Sequence, residues 1–361
     1  EGAVAAVQGQ QAVATGLVDM NLPKPDRILA VGKASVAMFQ GLPLAWQQDL
    51  PSLIVTKTDH IGDARFSDQV IAVEASHPIP CQNSLQAGHL ARQFVAAAGP
   101  QDHLMMLVSG GASALVEDLQ PGVTLQDLQA LTRAALGEGA EIAEINARRQ
   151  GVSTIKGGKL LAGFPGARVD VLLISDVEGD GVEVIASGIG AAPEAPTFDY
   201  SNRIVASNSV ARSVLSAAAV AQGLSVVSNA ETLYDDVGRV AAEIARSVQH
   251  GPAGLYIFGG EPTVVLPDNP GQGGRNQALA LELARRNHIG APRLIFASGV
   301  GFSVALGWVL TFALSQVAFD PVQIESATFT GPSAQTLMFV LDRSAVLQFD
   351  VGLVPGVFLG A

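Results

Sequence analysis

Lys33 follows a short apolar run, residues 28–31, through Gly32 and stands where a helical stretch begins. A cation in a first helical turn opposes the helix dipole. The position therefore favours a charge aimed into a cleft, where a lysine can hold a phosphate. A second apolar run, residues 171–174, leads directly into Ser175-Asp176-Val177-Glu178-Gly179-Asp180-Gly181. Carboxylates at the carboxyl end of a strand suit a hard cation that keeps several waters and shares substrate phosphates, which points to Mg²⁺ on Asp176 and Asp180. An ordinary acidic turn is the plainer alternative. Arg275, in Gly271-Gln272-Gly273-Gly274-Arg275-Asn276, offers a planar fork to a carboxylate or a transferring phosphoryl group. His77, in Ser76-His77-Pro78-Ile79-Pro80, is a lone histidine after another apolar run and reads as structural.

Four further turns concentrate glycine with polar partners: Ser109-Gly110-Gly111-Ala112-Ser113, Lys156-Gly157-Gly158-Lys159, Ser187-Gly188-Ile189-Gly190 and Gly259-Gly260-Glu261. The first and last follow strand-like runs, and ligands bind at the carboxyl ends of strands in an open α/β sheet. Glycine there lets backbone N–H groups approach an anion. Taken singly each glycine only turns the chain; taken together with Lys and Arg they point to phosphate binding. No turn has the spacing G-x4-G-K-[ST], so a P-loop NTPase is excluded. No G-x-G-x-x-G follows the first strand, and kinase H-R-D and D-F-G and zincin H-E-x-x-H motifs are absent. Gly111-Ala112-Ser113-Ala114-Leu115 falls one glycine short of the nucleophile elbow.

The elements that must hold these residues are short apolar runs alternating with alanine-rich stretches of helical length. The runs include 28–31, 53–55, 70–73, 104–108, 171–174, 255–258 and 294–296; the helical stretches include 85–98, 125–135, 209–222 and 237–249. Continuous apolar strands are buried on both faces and the helices supply the crossovers, so the fold class is α/β with mainly parallel strands. A domain boundary is expected between residues 230 and 255, where His250-Gly251-Pro252-Ala253-Gly254 precedes a new strand. No internal repeat is present.

The 361 residues fit two domains. The net charge of −12 excludes a general nucleic-acid binder, whose affinity rests on Lys and Arg. One cysteine, Cys81, makes no intrachain disulfide and, with no basic n-region before an apolar run, a reducing cytoplasmic location is expected. Residues 294–319 carry no charge. Gly299, Gly301, Ser303, Gly307, Thr311, Ser315 and Gln316 interrupt them and no basic flank follows, so a buried strand–helix pair is expected rather than a membrane span.

In order, these motifs resemble the glycerate kinase family whose C-terminal half is called the MOFRL domain. The matching stretches are Val31-Gly32-Lys33-Ala34, Ser76-His77-Pro78-Ile79-Pro80, Leu107 through Leu115, Lys156-Gly157-Gly158-Lys159-Leu160, Ile174 through Asp180, Ile185-Ala186-Ser187-Gly188, Gly259 through Val264, and Gly273-Gly274-Arg275-Asn276-Gln277. The resemblance implies an N-terminal Rossmann-like α/β/α domain, residues 1–240, and a smaller α/β MOFRL domain, residues 241–361, with the active site in the cleft between them. It implies an enzyme that phosphorylates D-glycerate with ATP and Mg²⁺, giving 2-phosphoglycerate. Lys33, Arg275 and Asp176 are the expected catalytic residues. Ser109, Gly110, Gly111, Ser113, Lys156, Glu261 and Asn276 are expected to bind the cofactor, and Asp176 and Asp180 the metal. D-glycerate is the expected partner, with no nucleic acid and no membrane, and a homodimer is compatible with the sequence. Two rivals stand: an NAD(P)H-dependent hydroxypyruvate reductase, weakened by the missing G-x-G-x-x-G, and an inactive nucleotide-binding relative.

The chain departs from the family pattern at Gly151, where a histidine is usual, and at Ala278, where a glutamate is usual. Past Ser298-Gly299 the family's T-D-G-x-D-G is replaced by Val300-Gly301-Phe302-Ser303, and Thr330-Gly331-Pro332-Ser333-Ala334-Gln335 only echoes G-P-T-G-T-N. A shifted reading frame over residues 300–361 would produce both changes together with the phenylalanine-rich, charge-poor tail. Peptide mapping of those residues checks this: fragments that match the stated tail would exclude it.

Overall fold

A computed structural model describes residues 2–138, 142–264 and 274–286. The expected strand at 294–296 and the whole atypical tail lie outside the described residues. Six strands, β1 (Arg27–Val31), β2 (Ser52–Lys57), β3 (Val70–Ala75), β4 (His103–Val108), β5 (Arg168–Ile174) and β6 (Asp199–Ala206), form one sheet in the order β3-β2-β1-β4-β5-β6. Every neighbouring pair in it is parallel. The α/β class with parallel strands read from the sequence is therefore the class of the structure.

Alternation along these strands explains why the sheet is covered twice. Leu29, Val31, Leu104, Met106, Val108, Val171 and Leu173 point into one apolar cluster, with Ala87, Ala91 and Val95 of the helix Gln82–Ala96. Ile28, Ala30, Met105, Leu107 and Leu172 point into the other, with Val13 of the helix Gly9–Met20 and Met38 and Phe39 of the helix Ser35–Gln40. Side chains two apart share a face, so an unbroken apolar run is what a strand between two helical layers requires. Alanine and glycine on the covering helix let it come close. A Cβ on Gly88 would lie 1.9 Å from the Glu117 carbonyl oxygen.

Among the described residues the last two strands make a second parallel pair, β7 (Val226–Glu231) with β8 (Leu255–Gly259), joined by the helix Val237–His250. The glycine-proline turn after His250 thus lies within the connection between two strands that pair. All these elements belong to the compact unit that ends at Leu279. Beyond it, residues 280–286 complete the helix Arg275–Arg286.

At the amino ends of the sheet a buried carboxylate ties three strands. Asp170 of β5 is fully buried. His103 Nε2 of β4 lies 2.7 Å from its Oδ2, Arg168 donates to both its oxygens, and Ser201 of β6 donates to Oδ1. Burial pushes this carboxyl up, but the contacts with His103, Arg168 and Ser201 together outweigh it and hold it at about 2. A depressed carboxylate stabilises the fold above its ordinary value of 3.8, and that contribution is lost as pH falls through about 2. Asp170→Asn should therefore lower the unfolding free energy near neutrality by about 2 kcal/mol or more. The deficit relative to wild type should shrink between pH 4 and 2 in urea titrations. A deficit independent of pH would rule the coupling out.

Candidate active site

The order of the sheet reverses between β1 and β4, and in such sheets the crevice at the carboxyl ends of those strands is where ligands bind. The two turns there are locked together. Ser109 N–H donates to the Val31 carbonyl at 2.9 Å, Lys33 N–H to the Gly110 carbonyl at 3.0 Å, and Ala34 N–H to Ser109 Oγ at 3.0 Å. Only glycine fits at position 32. Its φ is +122°, and a Cβ would lie 2.2 Å from Ser109 Oγ and 2.4 Å from the Ser109 carbonyl oxygen. The chain then enters the short helix Ala112–Leu115. Among the described residues, the amides of Gly110, Gly111, Ala112 and Ser113 have no hydrogen-bond partner. Four successive free N–H groups form a nest for an anion.

Asp176 reaches the same place from the end of β5, and its Oδ2 lies 3.8 Å from Lys33 Nζ. Both side chains are substantially exposed, so this pair adds little to stability; it sets charge beside the free amides. Glycine makes the room. A Cβ on Gly110 would lie 2.0 Å from Asp176 Oδ2, and one on Gly111 would meet Lys33 Cγ at 2.9 Å and His77 Cδ2 at 3.2 Å.

Two cavities open here, and Asp176 lines both. The first, of about 380 Å³, lies between Ser175 and Asp176 after β5, Ser207 and Asn208 after β6, and Tyr234, Gly260 and Glu261. The second, of about 300 Å³, is lined by His77, Gly111, Ser113, Asn146 and Arg149. A hydroxyl relay runs along its wall. The Asn146 amide donates to the Val184 carbonyl, so its oxygen faces Ser187 and accepts the Ser187 hydroxyl at 2.7 Å. Ser187 has one proton, so in the 2.8 Å contact with Ser113 the donor must be Ser113. Ser113 Oγ is left with acceptor capacity for the cavity. Ala186 and Ser187 hold their places with left-handed φ values of 53° and 56°, a conformation that costs non-glycine residues about 1–3 kcal/mol each.

The structure thus brings Lys33, Asp176, Ser109, Gly110, Gly111 and Ser113 into one place. Glu261 lines the first cavity and lies 3.4 Å from Arg275 Nη1, both side chains being exposed. Asn276 is exposed on the helix that Arg275 begins. Asp180 sits in the turn Glu178–Asp180; with burial, Glu231 and Glu178, it pushes the Tyr234 phenol up. Among the described residues no three acidic, histidine or cysteine side chains converge as a metal cluster.

Lys156, read from the sequence as a cofactor-binding residue, is completely buried, and its ammonium donates to the carbonyls of Ala112 at 3.1 Å and Val116 at 2.6 Å. Burial lowers it to about 8, with Glu117 opposing the shift. It fastens the end of the Ala112–Leu115 helix rather than facing a cavity. The glycines beside it are spent as well: Gly157 and Gly158 donate to the carbonyls of Ser187 and Gly188, so two of the glycine-rich turns bind one another.

His77 and Arg149 are the residues the sequence reading did not select. His77 follows β3, and its place after a strand was the available signal. Burial lowers its imidazole, the positive charges of Lys33, Lys57 and Arg149 lower it further, and Asp176 opposes them. Arg149 carried no signal of its own.

Parallel strands whose carboxyl ends present free amides, a cation and a carboxylate make this an α/β protein whose switch point is suited to an anion. Comparison narrows the class. A family model described as a domain of unknown function, DUF4147, matches residues 1–222. The chain is 32% identical to the D-glycerate 2-kinase of Thermotoga maritima over 324 residues, covering 78% of this chain and 76% of that protein. It is 30% identical to the glycerate 2-kinase of Pyrococcus horikoshii over 308 residues, covering 72% and 69%. A protein of Agrobacterium vitis with a provisional hydroxypyruvate reductase name is 36% identical over 301 residues, covering 71% and 77%. The crystal structure of the Thermotoga maritima glycerate kinase matches with a TM-score of 0.66 at 29% identity, over 78% of this chain and 77% of that one. The chain belongs to the glycerate kinase family. Among the described residues no helix is long and apolar enough to cross a membrane.

The geometry around His77 is open to direct measurement. Its imidazole should titrate below the ordinary 6.5 by NMR. Lys33→Met should raise that value by removing a neighbouring positive charge, and Asp176→Asn should lower it. Movement in the opposite directions would show that these side chains do not share a site.

Proposed function

We propose that the chain transfers the γ-phosphoryl group of ATP to the 2-hydroxyl of D-glycerate, giving 2-phosphoglycerate and ADP. The observation that carries this reading is the row of free amides from Gly110 to Ser113 beside Lys33 and Asp176; membership of the glycerate kinase family supports the substrate. Phosphoryl transfer asks a protein mainly for positioning and charge neutralisation. The amides cradle phosphate oxygens, and Lys33 places its ammonium next to them as a point charge. Arg275, with Glu261 at 3.4 Å, is the second cation, and Asn276 accompanies it. Asp176 orients the acceptor hydroxyl or holds Mg²⁺. An exposed carboxylate beside phosphate-binding amides is a hard oxygen donor of the kind Mg²⁺ uses, and Mg²⁺ needs only one or two such ligands when it shares substrate phosphates. Asp180 is the second candidate ligand. When bound, the metal would supply charge neutralisation on the phosphate oxygens.

A Rossmann-like N-terminal domain and a smaller C-terminal domain, within a cytoplasmic enzyme, belong to the same proposal. The pairing of β7 with β8 across residue 240 favours a boundary at the change of sheet, between β6 and β7. The hydroxypyruvate reductase reading rests on the Agrobacterium vitis name, and the turn after β1, Val31-Gly32-Lys33-Ala34, lacks the dinucleotide fingerprint.

ADP release from ATP and Mg²⁺ should require D-glycerate, with no NAD(P)H consumed when hydroxypyruvate is supplied instead. Nucleotide binding without turnover would mark an inactive relative. Lys33→Ala and Arg275→Ala should each lower kcat by about 10²-fold or more, as loss of a transition-state charge clamp does. Near-wild-type turnover in either variant would remove that residue from the mechanism.

A further inference from the structure

Arg149 is a cation that the reading above leaves unused. It lines the second cavity from the helix Ile142–Val152. Its Nε is buried without a hydrogen-bond partner, and among the described residues the guanidinium makes no ion pair. Behind the cavity stands Glu117, fully buried, with Oε2 also unpartnered; its Oε1 accepts the Ser153 hydroxyl and the Asp118 amide. Lys156 is the third charge of the cluster, and its ammonium is committed to two carbonyls. Among the described residues this one buried carboxylate is the counter-charge for two cations, Lys156 and Arg149. Arg149 is half-buried at the cavity wall, and a guanidinium partly withdrawn from water with only a shared counter-charge favours an anionic ligand in the cavity. Asp176, on the same cavity, is more than half exposed and already paired with Lys33.

The cavity also limits what that ligand is. About 300 Å³ accommodates a three-carbon acid with its waters, and a guanidinium matches a carboxylate with two parallel hydrogen bonds. Ser113 Oγ, its proton committed to Ser187, accepts from a ligand hydroxyl. A small hydroxy acid satisfies both groups.

We propose that Arg149 binds the carboxylate of the acceptor substrate in the His77–Ser113–Asn146 cavity, with Glu117 as a positioning residue behind it. The inference rests on the glycerate reading, and it leaves both Lys33 and Arg275 for the transferring phosphoryl group.

The test compares the full-length wild type with R149Q and R149K, using D-glycerate and its uncharged amide as acceptors. In R149Q the KM for D-glycerate should rise about 30- to 100-fold, the scale of a lost charge-assisted pair, while the KM for ATP stays within twofold. The preference for D-glycerate over the amide should collapse by a similar factor, which a merely structural role would not cause. R149K, retaining the charge without the fork, should fall between, and it serves as the readout if R149Q does not fold. E117Q should raise the KM for D-glycerate severalfold with the KM for ATP unchanged. An unchanged KM for D-glycerate in R149Q, or a retained preference for the acid, would overturn the proposal. If the wild type shows no glycerate-dependent ADP release, it is the kinase reading that fails. Calorimetric titration of D-glycerate and its amide then decides the subsite: acid-selective binding lost in R149Q supports it, and no binding to the wild type rejects it.

Discussion

The contact between Gly32 and Ser109 is the constraint from which the site follows. Two parallel strands side by side bring their outgoing turns together, and here there is no space for even a methyl group between them. Because the turns touch, Lys33 N–H can donate to Gly110 and Ala34 N–H to Ser109 Oγ. These bonds hold the glycine loop open, its own amides facing outward with nothing to pair with. The exposed Lys33 head then lies over the loop, within reach of Asp176 from the next strand but one. Removing the close approach would let the loop collapse onto its own amides.

A second layer sits behind that loop and is polar where a core is ordinarily apolar. Lys156 closes the carbonyl end of the Ala112–Leu115 helix, Ser153 reaches Glu117, and the glycine turn at 157–158 binds the turn at 187–188. Lys156, Ser153, Glu117, Gly158 and Ser187 are buried; the helix carries Ser113 to the cavity wall, and Ser187 stands behind it as the acceptor of the Ser113 hydroxyl. A buried polar network of this kind fixes a local arrangement, at the expense of tolerating loss of any one member.

Much of the central sheet was legible because burial on both faces leaves unbroken apolar runs; β1, β4 and β5 stand where residues 28–31, 104–108 and 171–174 announced them. β6 and β7 were not seen. Among the described residues β6 lies at the sheet's edge and its sequence, Asp199-Tyr200-Ser201-Asn202-Arg203-Ile204-Val205-Ala206, is half exposed, while β7 pairs with β8 alone. Within the site, Lys33, Asp176 and the Ser109–Ser113 loop were legible because each directly follows a strand. The buried place of Lys156 was not legible, because a lysine among glycines looks the same in sequence whether its ammonium meets a phosphate or two carbonyl groups. Arg149 was invisible for the opposite reason: its importance comes from Glu117, 32 positions away, and from a cavity that exists only once His77 and Ser113 are placed.

The consecutive left-handed residues Ala186 and Ser187 carry a consequence for how the chain can change over generations. Glycine at 187 would relax the backbone, and it would also delete the hydroxyl that turns Ser113 toward the cavity. Selection for a tougher fold and selection for ligand geometry therefore pull this one position in opposite directions. A lineage that keeps serine there retains a permanently tensed loop, and with it a built-in ceiling on its own robustness.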